Sequence, residues 1–324
     1  MKKLQLLVLA LAAAAIATAD TARLSGPVLG YVFDSRTRAV RPVNGMPGAA
    51  HLGAAVALPF AVSAAAFAPG SEFGVVISDS GEAFLLRDPA AGAVRPLGGA
   101  LAGADGIALN ARGSAVLLYA SEARRLHVVQ GLPEAPSFGP ILDVSAVPGP
   151  IAAVVLTRDA SFVLLAAPGG LWGVEVGPDR EGAPRLIARF GAPSAMALVN
   201  GDQDLVVADA ELNQVSYLRK FAQVAEPFAL AGERDGVSGP AGLAVSADGR
   251  RLYLVNAGTR SLDVFDLATM RAEERFWLDW PPTRLARIHG DSVFLLNEVG
   301  SDPLLLFDTV GPPGVYFVPA AQER

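Results

Sequence analysis

One unit of this chain recurs, and the recurrence limits the fold more than any single residue does. Residues 240–266 read as an apolar strand, a turn, a second strand, a polar turn and a third strand ending in Asp266. With Ala244 as the anchor, weaker copies place Ala66, Ala108, Val154, Ala197 and Ala286 at the equivalent point of their own first strands. The steps between these anchors are 42, 46, 43, 47 and 42 residues. A period of about 40–45 residues is that of a four-stranded propeller blade, whereas leucine-rich and ankyrin repeats are much shorter. Helical repeats of similar length need stretches of apolar period 3.6, and none follows the first twenty residues.

The second strand of each unit is short and continuously apolar: FGVVI at 73–77, AVLLY at 115–119, FVLL at 162–165, DLVV at 204–207, LYLV at 252–255 and VFLL at 293–296. Strands covered on both faces have this composition. The first and second strands are separated by turns such as APGS, ARGS, ADGR and HGDS. There Gly and Asp reach the left-handed backbone angles that tight hairpins require. The fold class that follows is all-β, a β-propeller of four-stranded antiparallel blades. Six anchors give six blades. Upstream, residues 28–34 and 39–43 form one more apolar hairpin, aligned with the third and fourth strands of the 262–277 unit. Residues 45–60 are loop-like, with one candidate strand at 50–58. The expectation is therefore seven blades with an irregular first one. Six is the alternative, with the N-terminal hairpin added to a terminal blade. Ring closure matters because an open ring leaves a bare strand edge.

The first nineteen residues read as a secretory signal: Lys2 and Lys3, a largely apolar run over 4–16, then the small residues Ala17, Thr18 and Ala19. The apolar run is shorter than the ~20 residues of a membrane span. Cleavage there leaves 305 residues, 20–324, as one domain, and the loss of two lysines moves the formal charge from −6 to −8. The expected location is the periplasm or the cell exterior, with no membrane span after cleavage. The chain has no Cys, so no disulfide forms. An acidic, mixed surface lacks the basic face that nucleic acid or an anionic membrane requires. A domain of this size buries about three quarters of its unfolded surface and needs no covalent staple. Its 34 Gly and 24 Pro fall mainly between apolar runs, so they mark turns, not disorder.

Two kinds of repeat carry similar units. GERDGVSGPAGLAVSADG at 232–249 and VVADAELNQV at 206–215 resemble the NHL repeat. LYLVNAGTRSLDVFD at 252–266 resembles the YVTN repeat of the lactonase-like and cytochrome-d1-like propellers. The likeness is clear over 193–310 and faint over 61–190. It implies a propeller and leaves activity open: such proteins include lactonases, quinoprotein-like oxidoreductases and cell-surface scaffolds.

Candidate site residues follow from position in the unit. Asp79, Ser121, Glu122, Asp209, Asn256, Asn297 and Glu298 come just after second strands, near one rim. Asp and Asn at such points cap the following turn through side-chain to backbone hydrogen bonds, which competes with any role as ligands. The first strands approach the axis. Two residues before each anchor stand Ala64, Gly106, Ala152, Ala195, Gly242 and Arg284. Small residues let the strands approach one another. Arg284 breaks the column and is a candidate for binding an anion, with Asp105 one position off it. The ligand-binding candidates are thus Arg284, Asp105, Asp209, Asn256, Asn297 and Glu298. His51, His127 and His289 share no position in the unit, so no metal site is expected. No Gly-x-Ser-x-Gly or Ser-x-x-Lys pattern supplies a nucleophile. Gluconolactonase-type propellers hold a metal through acidic and amide side chains on inner strands, and the Ala- and Gly-rich first strands here depart from that pattern. Trp172, Trp277 and Trp280 are expected to pack between blades. The function expected is an exported scaffold for a protein or small ligand, without cofactor or identifiable catalytic set. The alternative is a lactonase-like hydrolase or a redox-associated propeller.

Overall fold

The computed structural model describes residues 27–177, 180–223, 226–300 and 302–319, so the expected signal at 1–19 lies outside the described residues. Seven antiparallel sheets form seven blades. The second blade shows the plan: an inner strand Val62–Phe67, then Gly74–Ser78, Ala83–Asp88 and the outer strand Ala93–Pro96, each hydrogen-bonded to the next. The inner strands of blades three to seven are Gly106–Leu109, Ala153–Leu156, Pro193–Val199, Pro240–Val245 and Ala286–His289. Five of the six anchors occupy one register: Ala66 pairs Val75, Ala108 pairs Leu117, Ala197 pairs Val206, Ala244 pairs Tyr253 and Ala286 pairs Leu295. In blade four the equivalent residue is Val155, which pairs Leu164, and not Val154, which pairs Leu165. Among the described residues no helix is long and apolar enough to cross a membrane.

Side-chain burial grades outward from the axis. The second strands Gly74–Ser78, Ala115–Ala120, Phe162–Ala167 and Asp204–Asp209 are buried at every position, because a blade covers each of their faces. The outer strand Arg271–Trp277 is mostly exposed. Between consecutive blades lies an apolar cluster, and the described residues form seven of them. The cluster of Val75, Leu85, Val116 and Leu118 joins blades two and three. Leu117, Leu126, Val163 and Leu165 join three and four, and Tyr253, Phe294, Leu305 and Phe307 join six and seven. Burying one such side chain contributes about 1.5–3 kcal/mol, so these interfaces hold the ring.

The first blade differs. It has three strands, Val28–Asp34, Ala39–Asn44 and His51–Leu52. Residues 53–56 continue beside the second of these, with the Gly53 and Val56 amides donating to the Pro42 and Val40 carbonyls at 2.8 Å. The turn after Asp34 lies at the rim where the other inner strands begin. Arg38 accepts a bond from the Val62 amide at 2.7 Å and its guanidinium comes within 3.8 Å of Asp79. Val28–Asp34 therefore runs opposite to the inner strands of the other blades, as a second strand does. This corrects the alignment of the hairpin with third and fourth strands. The hairpin is the second and third strand of a blade with no inner strand among the described residues. Val28–Asp34 takes the axial place instead. It bridges in parallel to blade seven at Asp34 and Val299, and a Cβ added at Gly30 would collide with the Ile288 carbonyl oxygen.

Two apolar clusters close the ring. Leu29, Val32 and Val43 pack with Ile288, Leu295, Leu306 and Val318 of blade seven. Tyr31 and Val40 pack with Val62, Val76 and Leu86 of blade two. Among the described residues the ends meet by side-chain packing and one bridge, with no strand exchanged between the first and last blades.

Candidate functional site

The inner strands frame a central cavity of about 400 Å³, open on blades one, two, three and seven. Tyr31, Val32 and Phe33 form one wall; Ala65 to Pro69 and Ile107 to Ala111 form the next. Residues 284–288 complete it. The small-residue column explains how the strands meet. A Cβ at Gly242 would lie 2.5 Å from the backbone nitrogen of Leu285. Where the column reaches Arg284, a long cationic side chain enters the lining in place of Ala or Gly.

Arg284 is 46 % exposed and faces Glu298 at 3.9 Å across the upper rim. That pair is too long for a hydrogen bond, and among the described residues the guanidinium has no other polar partner. The surrounding walls desolvate it and lower its pKa, against the pull of Glu298, and it stays cationic. Arg287, lower in the cavity, is already committed: it reaches Asp291 at 2.9 Å and donates to the Val245 carbonyl at 3.2 Å. Nothing in the spacing of the sequence singled out Arg287, which comes one position after Ala286 and aligns with Phe67 and Leu109.

The other candidates are held by the backbone. Asp209, 1 % exposed, accepts from the amides of Gly191, Ala192, Glu211 and Leu212 at 2.7, 3.1, 3.0 and 3.1 Å. Asn256 is fully buried; it donates to Asp263 at 2.9 Å and accepts from the Ser238 amide at 3.2 Å. Asn297 donates to the Pro303 carbonyl at 3.0 Å and accepts from the Leu305 amide at 2.8 Å. Asp105 accepts from the Ser121 amide at 3.0 Å and from its hydroxyl. The structure thus brings Arg284 and Glu298 together at the cavity and disperses Asp105, Asp209, Asn256 and Asn297 among turns of different blades.

His127 is 2 % exposed and its Nε2 is 2.8 Å from the Gly139 carbonyl; burial pushes its pKa down, so the ring is neutral. No group of three or more metal-ligating side chains occurs among the described residues. The tryptophans are separate. Trp172 packs in the cluster between blades three and four, and Trp280 stands edge-on to Phe317 with centroids 5.3 Å apart. Trp277 corrects the expectation of packing between blades: it is 70 % exposed, with the Arg275 guanidinium 5.5 Å from its ring.

No protein-family model and no curated sequence matches the chain. Solved structures do. A "putative 6-phosphogluconolactonase" from Bacteroides uniformis superposes with a TM-score of 0.64 at 14 % identity, covering 90 % of this chain and 96 % of that one. Hydrazine synthase from Kuenenia stuttgartiensis gives 0.61 at 12 % identity, covering 90 % and 99 %. The fold they share with this chain is the β-propeller. A protein from Lactobacillus plantarum, at a TM-score of 0.63 and 15 % identity over 90 % of this chain and 96 % of that one, shares it. At these identities the likeness carries the architecture alone.

Proposed function

We propose that the protein is an exported seven-bladed propeller that acts as a binding scaffold and takes its ligand in the central cavity at Arg284. One observation carries this reading. Arg284 lines a cavity of about 400 Å³ and its guanidinium makes no hydrogen bond among the described residues, while Asp105, Asp209, Asn256 and Asn297 are taken up by hydrogen bonds within their turns. A guanidinium whose fork is unfilled, beside apolar walls, is a ready site for an anionic group. Cavities of this size that combine apolar lining with a few polar groups are the usual form of a ligand site. The test is a thermal-shift screen of residues 20–324 against organic acids, sugars and short peptides, repeated on Arg284→Gln. Anionic ligands should raise the melting temperature of the parent protein and leave the variant unmoved. A screen in which no anion acts, or in which the variant responds equally, overturns the reading.

The Bacteroides neighbour supports a second reading, a lactonase-like hydrolase whose substrate anion is held at Arg284. Hydrolysis of 6-phosphogluconolactone, abolished in Arg284→Gln, would establish it over the scaffold. The lack of turnover above the spontaneous rate would remove it.

A further inference from the structure

Among the described residues the first blade has no inner strand, which leaves an open edge on the cavity, and the ladder shows which peptide groups lie there. The Val40 and Pro42 carbonyls accept from the Val56 and Gly53 amides, so these two residues turn toward the outer side of the blade. In an antiparallel ladder the intervening residues turn the other way. Ala39, Arg41 and Val43 therefore bond inward to their partners Asp34, Val32 and Gly30. Tyr31 stands opposite Pro42, which has no N–H to give. Its own N–H and C=O point away from the ladder, toward the axis. The edge is bounded on one side by the Asp34–Val299 bridge, and the close approach of Gly30 to Ile288 holds the face of the strand against blade seven. No strand lies beside Tyr31 among the described residues, and Tyr31, Val32 and Phe33 line the cavity.

An unpaired strand edge takes an extended chain through two main-chain hydrogen bonds per facing residue. Arg284 lines the same cavity, with Glu298 as its single ionic contact among the described residues. We propose that the central cavity binds a short extended peptide with a free carboxylate, the peptide adding to the edge at Tyr31 and its carboxylate displacing Glu298 from Arg284. The proposal rests on the cavity reading above and names the ligand class. Ala65, Ala66, Ala108 and Ala286 line the cavity beside bulkier residues such as Phe67 and Ile107, and a peptide of alanines is the probe that makes the fewest demands on them.

Isothermal titration of residues 20–324 with acetyl-Ala-Ala-Ala tests it, beside the C-terminal amide of that peptide, its N-methylated form, and butyrate. The free acid should bind, and the amide and the N-methylated form should bind roughly tenfold or more weakly, as expected when a charge-assisted or main-chain hydrogen bond is lost. Arg284→Gln should lose the free acid by a similar factor, whereas Glu298→Gln should tighten it, because the competing carboxylate is gone. A purely structural role for the pair gives no such opposite signs. Circular dichroism of both variants checks that they fold. If butyrate binds as well as the peptide, and N-methylation changes nothing, the cavity holds anions and the peptide class is wrong. If nothing binds at Arg284, the cavity reading fails as well. If the peptide binds only after residues 20–26 are removed, the open edge belongs to the chain's own N-terminus and the proposal is overturned.

Discussion

At the scale of single residues, carboxylates hold the turns of this protein. Burial pushes the Asp204 carboxyl up, but the Lys220 amide at 2.7 Å, the Asn200 amide group at 3.0 Å and the Tyr217 hydroxyl at 2.9 Å outweigh it and hold its pKa below the usual 3.8. Burial, with the same contact, pushes the Tyr217 hydroxyl up to about 12. Asp34 follows the same pattern: burial raises it, and bonds from Thr37, Arg41 and Arg36 lower it below 3.8. A carboxylate whose pKa is depressed on folding stabilises the native state fully above its unfolded value. It loses that contribution as pH falls through the folded value. The melting temperature should therefore be flat from neutrality to about pH 5 and fall steeply below about pH 4. Asp204→Asn should lower it at about pH 7 and flatten the acid limb; a variant with the parent's full acid slope would show that Asp204 carries none of it. The capping by Asp209, Asn256 and Asn297 was legible in the sequence from position, since Asp or Asn follows the second strand in four of the six repeats; that of Asp204 and Asp34, which stand elsewhere in the unit, was not. That the Arg284 guanidinium stands without a hydrogen bond among the described residues was not legible either, because its freedom depends on what three other blades leave around it.

At the scale of elements, the small-residue column is a packing requirement. Gly242→Ala puts a methyl group 2.5 Å from the Leu285 backbone nitrogen, where backbone cannot yield. It should destabilise by about 1–3 kcal/mol, as overpacking does, in urea denaturation. Gly98→Ala, with nothing within 4 Å of the added Cβ, is the control and should change stability by no more than about 0.5 kcal/mol. Equal effects would contradict the packing account. The column and the second strands could be found from sequence because each repeats with the blade. The place of the hairpin at 28–44 could not. Asp34 accepts from the amides two and three residues on, ahead of Arg38 at φ 53°. Asp209 does the same ahead of Asn213 at φ 48°. Asp266, at the opposite rim, also caps its turn, ahead of Met270 at φ 56°. The same turn chemistry serves both rims, so it marks a strand end without saying which strand has ended.

At the scale of the whole molecule, the count of seven follows from the clusters between blades, and closure depends on the blade with the fewest strands. Val40 and Val43 of the first blade are fully buried, facing blades two and seven in turn. The sequence made the hairpin too apolar to stay solvated, which placed it in the ring. It did not show that the strand missing from this blade among the described residues is the inner one, because that is defined by the neighbours. The most direct measurement of this account is the thermal unfolding of residues 20–324 against a chain starting at residue 59, with light scattering on each. Removing the first blade bares the faces of blades two and seven and takes away the side chains of two apolar clusters, each side chain contributing about 1.5–3 kcal/mol. The account predicts a melting temperature lower by many degrees and a shortened chain that self-associates. A shortened chain that melts with the parent and stays monomeric would mean that six blades close alone, and the incomplete first blade would frame neither the ring nor the cavity.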